Sequence, residues 1–178
     1  MEFRSQPLNR LSEDEWAALL RQKLFFEWRW RKRRLDSYEQ VKHGKEKLVF
    51  DKATGLTWQQ SGSLEALSYS DAQNYLRALN QQRFAKYQGW RLPTLDEAMS
   101  LLEPFKYANG MYIDPRFDAA QKWIWTNDEA REGVAWAVTF RSGCCYVPVE
   151  ASYFVRAVRG ELWFPEGDSS DELLVELL

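Results

Sequence analysis

Apolar residues near the start of the chain recur with helical spacing. Trp16, Leu20, Leu24 and Trp28 fall every four residues, with Leu19 and Phe25 alongside, behind the capping-box pair Ser12 and Glu15. This spacing predicts a helix running to Arg33 or beyond, and a weaker helical segment to Val41 that His43-Gly44 interrupts. The period then changes. Leu48-Val49-Phe50 and Leu56-Thr57-Trp58 flank the turn residues Asp51 to Gly55 and read as a hairpin. Ala72, Tyr75, Leu76 and Leu79 return to helical spacing behind Ser70 as N-cap, with Asn80 as the expected end. A second helix follows Pro93, where Thr94 and Glu97 repeat the capping box and Ala98, Leu101 and Leu102 supply the buried stripe.

Residues 103–122 carry Pro104, Gly110 and Pro115 and read as loop. Strand character follows at Trp123-Ile124-Trp125, in the alternation of Val134, Trp136, Val138 and Phe140, and at Cys145-Tyr146-Val147 and Tyr153-Phe154-Val155, with a turn at Arg141-Ser142-Gly143. These runs predict an antiparallel meander. A hairpin, two helices, a long loop and then strands make an α+β domain.

Charge divides the chain into three parts. Residues 1–49 hold 12 Lys or Arg against 8 Asp or Glu, residues 50–160 hold 12 against 12, and residues 161–178 hold none against 6. With the element pattern, this gives a helical basic-aromatic extension over 1–46, a domain over 47–160 and an acidic leucine-rich tail over 161–178. The chain has 178 residues, enough for one core plus extensions. No apolar run approaches the roughly 18 residues of a membrane span. The first residues lack the basic-then-apolar order of a secretory signal, so a cytoplasmic location is expected.

The motifs carry a family resemblance. Thr54-Gly55-Leu56-Thr57-Trp58, Tyr69-Ser70-Asp71-Ala72 leading to Leu79-Asn80, Gly89-Trp90-Arg91-Leu92-Pro93-Thr94, and Val155-Arg156-Ala157-Val158-Arg159 occur in the order of the Lcl C-terminal domain family, which this chain resembles over about residues 47–160. The resemblance implies a C-type-lectin-like domain, related to the formylglycine-generating-enzyme fold, with two helices flanking a twisted antiparallel sheet. Roles implied by the wider group include binding of sugars and sulfated polysaccharides, ligand display and accessory duty in multiprotein systems. A fold, however, does not fix a ligand.

Most residues that invite a chemical reading also have a structural one. Trp58 and Trp90 are expected as core anchors, and Arg91, Arg156 and Arg159 as structural cations, Arg91 paired with a carboxylate and the other two facing a single acidic partner. Trp125-Thr126-Asn127-Asp128 resembles the calcium motif of C-type lectins, so Trp125, Asn127 and Asp128, with Arg141, define an alternative ligand face for a glycan or sulfated polymer. A turn built on Asn127 and Asp128 is the favoured reading. Cys144 and Cys145 are adjacent, so on a strand they point to opposite faces, one buried and one partly exposed. His43 is the only histidine, and no nucleophile-base pair or zinc set can be assembled. The expectation is a non-enzymatic protein with no cofactor or metal.

The strongest functional signal is Phe25-Phe26-Glu27-Trp28-Arg29-Trp30-Arg31-Lys32-Arg33-Arg34, with five basic residues in six positions from Arg29. Basic residues on nearly all sides of a helix exceed what one solvated face explains. A protein partner is favoured, because Trp and Arg are enriched at hot spots; internal packing and nucleic-acid contact stand as alternatives. Phe25, Phe26, Trp28, Arg29, Trp30, Arg31, Arg33 and Arg34 are the expected partner-binding residues. Leu173, Leu174 and Leu177 join them, since an acidic tail this apolar has to dock on its own domain or on another chain. The functional expectation is a scaffold or regulatory subunit of a bacterial multiprotein system, with defence as one setting.

Overall fold

The computed structural model describes residues 6–8, 10, 12, 14, 15, 17, 18, 38–147 and 152–160. Strand β1 (Tyr38–His43) pairs with β2 (Glu46–Asp51), β2 with β3 (Leu56–Gln59), and β3 with β7 (Val158–Arg159), all antiparallel. A second antiparallel sheet holds β4 (Trp123–Arg131), β5 (Val134–Thr139) and β6 (Cys144–Tyr146) in that order. Between the sheets in sequence lie helix α1 (Tyr69–Gln81), a single 3-10 turn (Phe84–Lys86) and helix α2 (Leu95–Ser100). Two helices and two antiparallel sheets give the expected mixed class. The strands after α2 do not form one continuous meander. The meander ends at Tyr146, and Tyr153 to Val155 crosses through single bridges, Leu67 with Tyr153 and Ile124 with Phe154, before β7 joins the other sheet.

The first hairpin forms as its pattern requires. Asp51 accepts from the backbone of Thr54 and Gly55 through its carbonyl and from Ala53 through its carboxylate (3.0 Å), closing the turn. Tyr38 to Val41, expected as helix, is strand. Its residues alternate in burial and pair across the sheet from Tyr38 opposite Asp51 to His43 opposite Glu46, and Gly44 at φ +62° makes the tight turn. Cross-strand pairing outweighs local helix preference here. Near the start of the chain, Asp14, Glu15, Ala17 and Ala18 are helical, and the capping box is present: Ser12 N–H donates to Glu15 (2.8 Å) and Glu15 N–H to Ser12 Oγ (3.3 Å).

Helix α1 is capped by Ser68, not Ser70, because Ser68 Oγ accepts from Asp71 N–H at 3.1 Å while Ser70 falls in the first turn. The helix runs one residue past Asn80. The Asn80 side chain instead accepts from Trp90 N–H (2.9 Å) and donates to the Trp90 carbonyl (2.8 Å), tying the Gly89 to Thr94 motif to α1. Thr94 and Glu97 form the expected capping box of α2. Two apolar clusters result. One holds Trp58, Leu95, Leu101, Ile113, Phe117, Ile124, Trp136 and Phe140, and the other Leu76, Trp90, Leu92, Trp125, Tyr153 and Val155. Burying a side chain of this size contributes on the order of 1.5–3 kcal/mol.

Candidate functional site

Several polar residues of the sequence motifs bond within the domain itself. Arg91 makes a two-pronged contact with Glu97, 2.7 Å on each prong, and Glu97 also accepts from Thr94 N–H at 2.8 Å. The expected carboxylate partner of Arg91 is therefore Glu97, the acidic member of the α2 capping box. Among the described residues, no ion pair gives Arg156 and Arg159 a common acidic partner. Three residues apart, they meet different surroundings: Arg156 is fully buried, donates to the carbonyls of Gln60 and Asp118 (2.8 Å to Asp118) and to Gln121 (3.2 Å), and lies 5.0 Å from the Phe117 ring centre. Arg159 stacks over Tyr87 at 4.1 Å. Burial draws the Arg156 guanidinium down to about 9, which still leaves it charged at neutral pH.

The residues expected as a ligand face lie apart. Asn127 and Asp128 sit within β4, where its register against β5 shifts, rather than in a turn; the turn is made by Glu132-Gly133, with Gly133 at φ +73°. Asp128 is fully buried and accepts from Leu95 N–H (2.6 Å) and from Leu8 N–H. The Trp125 ring is buried, and its indole N–H donates to the Leu67 carbonyl at 2.8 Å. Asn127 Oδ1 accepts from Tyr69 O–H at 3.4 Å, and burial, reinforced by the Glu129 charge, pushes the Tyr69 hydroxyl up to about 12. Arg141 is exposed beyond the opposite end of β5. Among the described residues no group of three or more His, Cys, Asp or Glu is placed to hold a metal ion. Cys144 is exposed beside Ser142 (3.5 Å), while Cys145 is half-buried against the first core cluster, its thiol pushed up to about 12 by burial.

A different surface gathers exposed cations and aromatics. Tyr107 N–H donates to the Met111 carbonyl (3.0 Å) and Gly110 N–H to Tyr107 (2.9 Å), while Glu103 N–H donates to Tyr112 (2.9 Å), so residues 103–112 form a closed loop. Tyr112 N–H then donates to the Phe140 carbonyl (2.7 Å), and Phe140 N–H to that of Lys122 (2.8 Å). These bonds set the loop beside Arg141 and the start of β4. Phe105 is 48% exposed, with its ring 5.1 Å from that of Tyr107. Lys106 is exposed and stands 5.3 Å over the Tyr112 ring. Lys106, Lys122 and Arg141 are all exposed, and among the described residues none of them is ion-paired.

Of these residues the sequence reading singled out only Arg141. The available signal was Phe105-Lys106-Tyr107, two aromatics around a lysine in a loop bounded by Pro104 and Gly110. The expected partner-binding residues Phe25, Phe26, Trp28, Arg29, Trp30, Arg31, Arg33, Arg34, Leu173, Leu174 and Leu177 lie outside the described residues.

The fold defines a mixed α+β domain in which Arg91, Glu97, Asp128 and Arg156 bond within the domain, while Lys106, Lys122 and Arg141 are exposed and make no ion pair among the described residues. The chain belongs to the Lcl C-terminal domain family, which matches residues 47–159. No curated protein matches the chain. No described helix is long and apolar enough to cross a membrane.

Proposed function

We infer that this domain is a non-enzymatic protein-binding module that serves as a scaffold or accessory subunit of a bacterial multiprotein assembly. The observation that carries this reading is the surface of Phe105, Lys106, Tyr107, Tyr112, Lys122 and Arg141, where the Phe105 ring lies beside Tyr107, Lys106 stands over Tyr112, and no described carboxylate pairs with Lys106, Lys122 or Arg141. Aromatic and Arg side chains are the groups that anchor protein interfaces, and positive charge around them selects an acidic partner segment and speeds encounter. The closing of β7 onto β3, with two helices between the two sheets in sequence, supports a C-type-lectin-like assignment. Two free thiols, one exposed, suit a reducing compartment and support the cytoplasmic reading.

The test is recovery of a partner from source cells with the full chain and with Lys106→Glu, Arg141→Glu. Both residues are exposed, so the fold should survive. A partner retained by the full chain and lost by the double variant supports the reading; equal recovery defeats it. The same cations favour one second reading, a sulfated glycan, for which retention on immobilised heparin that disappears in the double variant is the corresponding sign.

A further inference from the structure

We propose that the basic-aromatic surface around Phe105 and Arg141 is the docking place of the chain's own acidic tail, residues 161–178, which thereby competes with an external partner. This rests on the reading of that surface as the binding face. Charge is the first argument. The tail carries 6 acidic residues and no basic one, and the surface offers Lys106, Lys122 and Arg141 without an ion pair among the described residues. Chemistry beyond charge is the second. Leu173, Leu174, Val175, Leu177 and Leu178 need an apolar seat, and the exposed Phe105 ring with its Tyr107 neighbour supplies one next to Lys106.

Reach is the third argument. The described residues end at Gly160, directly after β7 pairs with β3. Eighteen further residues span up to about 60 Å when extended, several times the radius of a domain this size. A tethered segment acts at an effective concentration in the millimolar range, so modest contacts suffice to keep it docked. Tyr107 N–H and Gly110 N–H donate to carbonyls of the same loop, so these closing bonds are made without the tail.

The experiment is zero-length carbodiimide cross-linking of the full chain at low micromolar concentration, with linked peptides mapped from the monomer band. The expected links join Lys106 or Lys122 to the acidic residues between Glu166 and Glu176. Their yield should fall at least about tenfold in Phe105→Ala, Arg141→Glu, and equally in Leu173→Ser, Leu174→Ser, Leu177→Ser, since both variants keep every amine and carboxylate that could react. No link, links confined to a dimer band, links only to Lys23 or Lys32 of the basic N-terminal segment, or a yield indifferent to both variants each overturn the proposal. Partner recovery separates it from the reading beneath it. Recovery that rises in the leucine variant supports a competing tail, whereas recovery that needs Arg141 in a chain showing no tail link removes the tail proposal alone. Recovery indifferent to Arg141→Glu removes both.

Discussion

Arg91 and Trp58 show how single residues of this domain can be weighed. Glu97 is almost fully buried, so removing Arg91 strands a carboxylate that has lost its one ion pair among the described residues. Arg91→Ala should cost roughly 2–4 kcal/mol by urea denaturation, somewhat below a fully buried pair because the guanidinium is partly exposed. Trp58 is buried and its indole N–H has no hydrogen-bond partner among the described residues, whereas that of Trp90 donates to the Phe84 carbonyl at 3.1 Å. Trp58→Phe should therefore destabilise less than Trp90→Phe, by about 1 kcal/mol or more, because only the latter orphans an acceptor. Cys145 makes a pH prediction. Its folded thiol is raised to about 12 from an ordinary value near 9, so the native state holds a proton that the unfolded chain releases. That contribution to stability is complete below about pH 9 and is lost as pH rises toward 12; the stability difference between the protein and Cys145→Val should be flat below pH 9 and shrink above it.

At the scale of elements, α2 has only six residues and depends on its N-terminus. Thr94, Glu97 and Asp128 between them accept several of its first backbone N–H groups. Thr94→Ala should cost about 1 kcal/mol in thermal or urea unfolding, and an unchanged midpoint would show that the cap is idle. This cap was legible because a capping box is a local signal, and so were the Leu48 to Trp58 hairpin and the buried stripe of α1. The exact start of α1 was not, since Ser68 and Ser70 are equally good caps and only the backbone decides between them. Tyr38 to Val41 reads as helix in sequence for a deeper reason. Its partner strand supplies the hydrogen bonds and the burial that make it a strand, and neither is visible in the segment itself. Asn127 and Asp128 depend on distant partners in the same way: their composition signals a turn, but they lie in the irregular stretch of β4 between Trp125 and Glu129, where Asn127 N–H donates to the Pro93 carbonyl (2.7 Å) and Leu95 N–H to the Asp128 carboxylate.

For the whole molecule, topology decides which side chains meet. Arg141 was expected beside Trp125, Asn127 and Asp128, yet it lies at the other end of the sheet with Lys106, Tyr112 and Lys122, residues separated in sequence by the loop and by β4 and β5. Pairing of Tyr112 with Phe140 and of Phe140 with Lys122 creates this surface, and no periodicity announces it. The arginines that motif matching singles out, Arg91, Arg156 and Arg159, hold the domain together, while the less conspicuous cations remain available. Binding at this surface leaves a direct trace in amide hydrogen exchange of the full chain, measured with and without its captured partner. Slowed exchange concentrated in residues 104–112 and 139–143 is the outcome that a basic-aromatic binding face requires. Slowing confined to the Asn127 to Arg131 stretch, with residues 104–112 unaffected, would rule that face out.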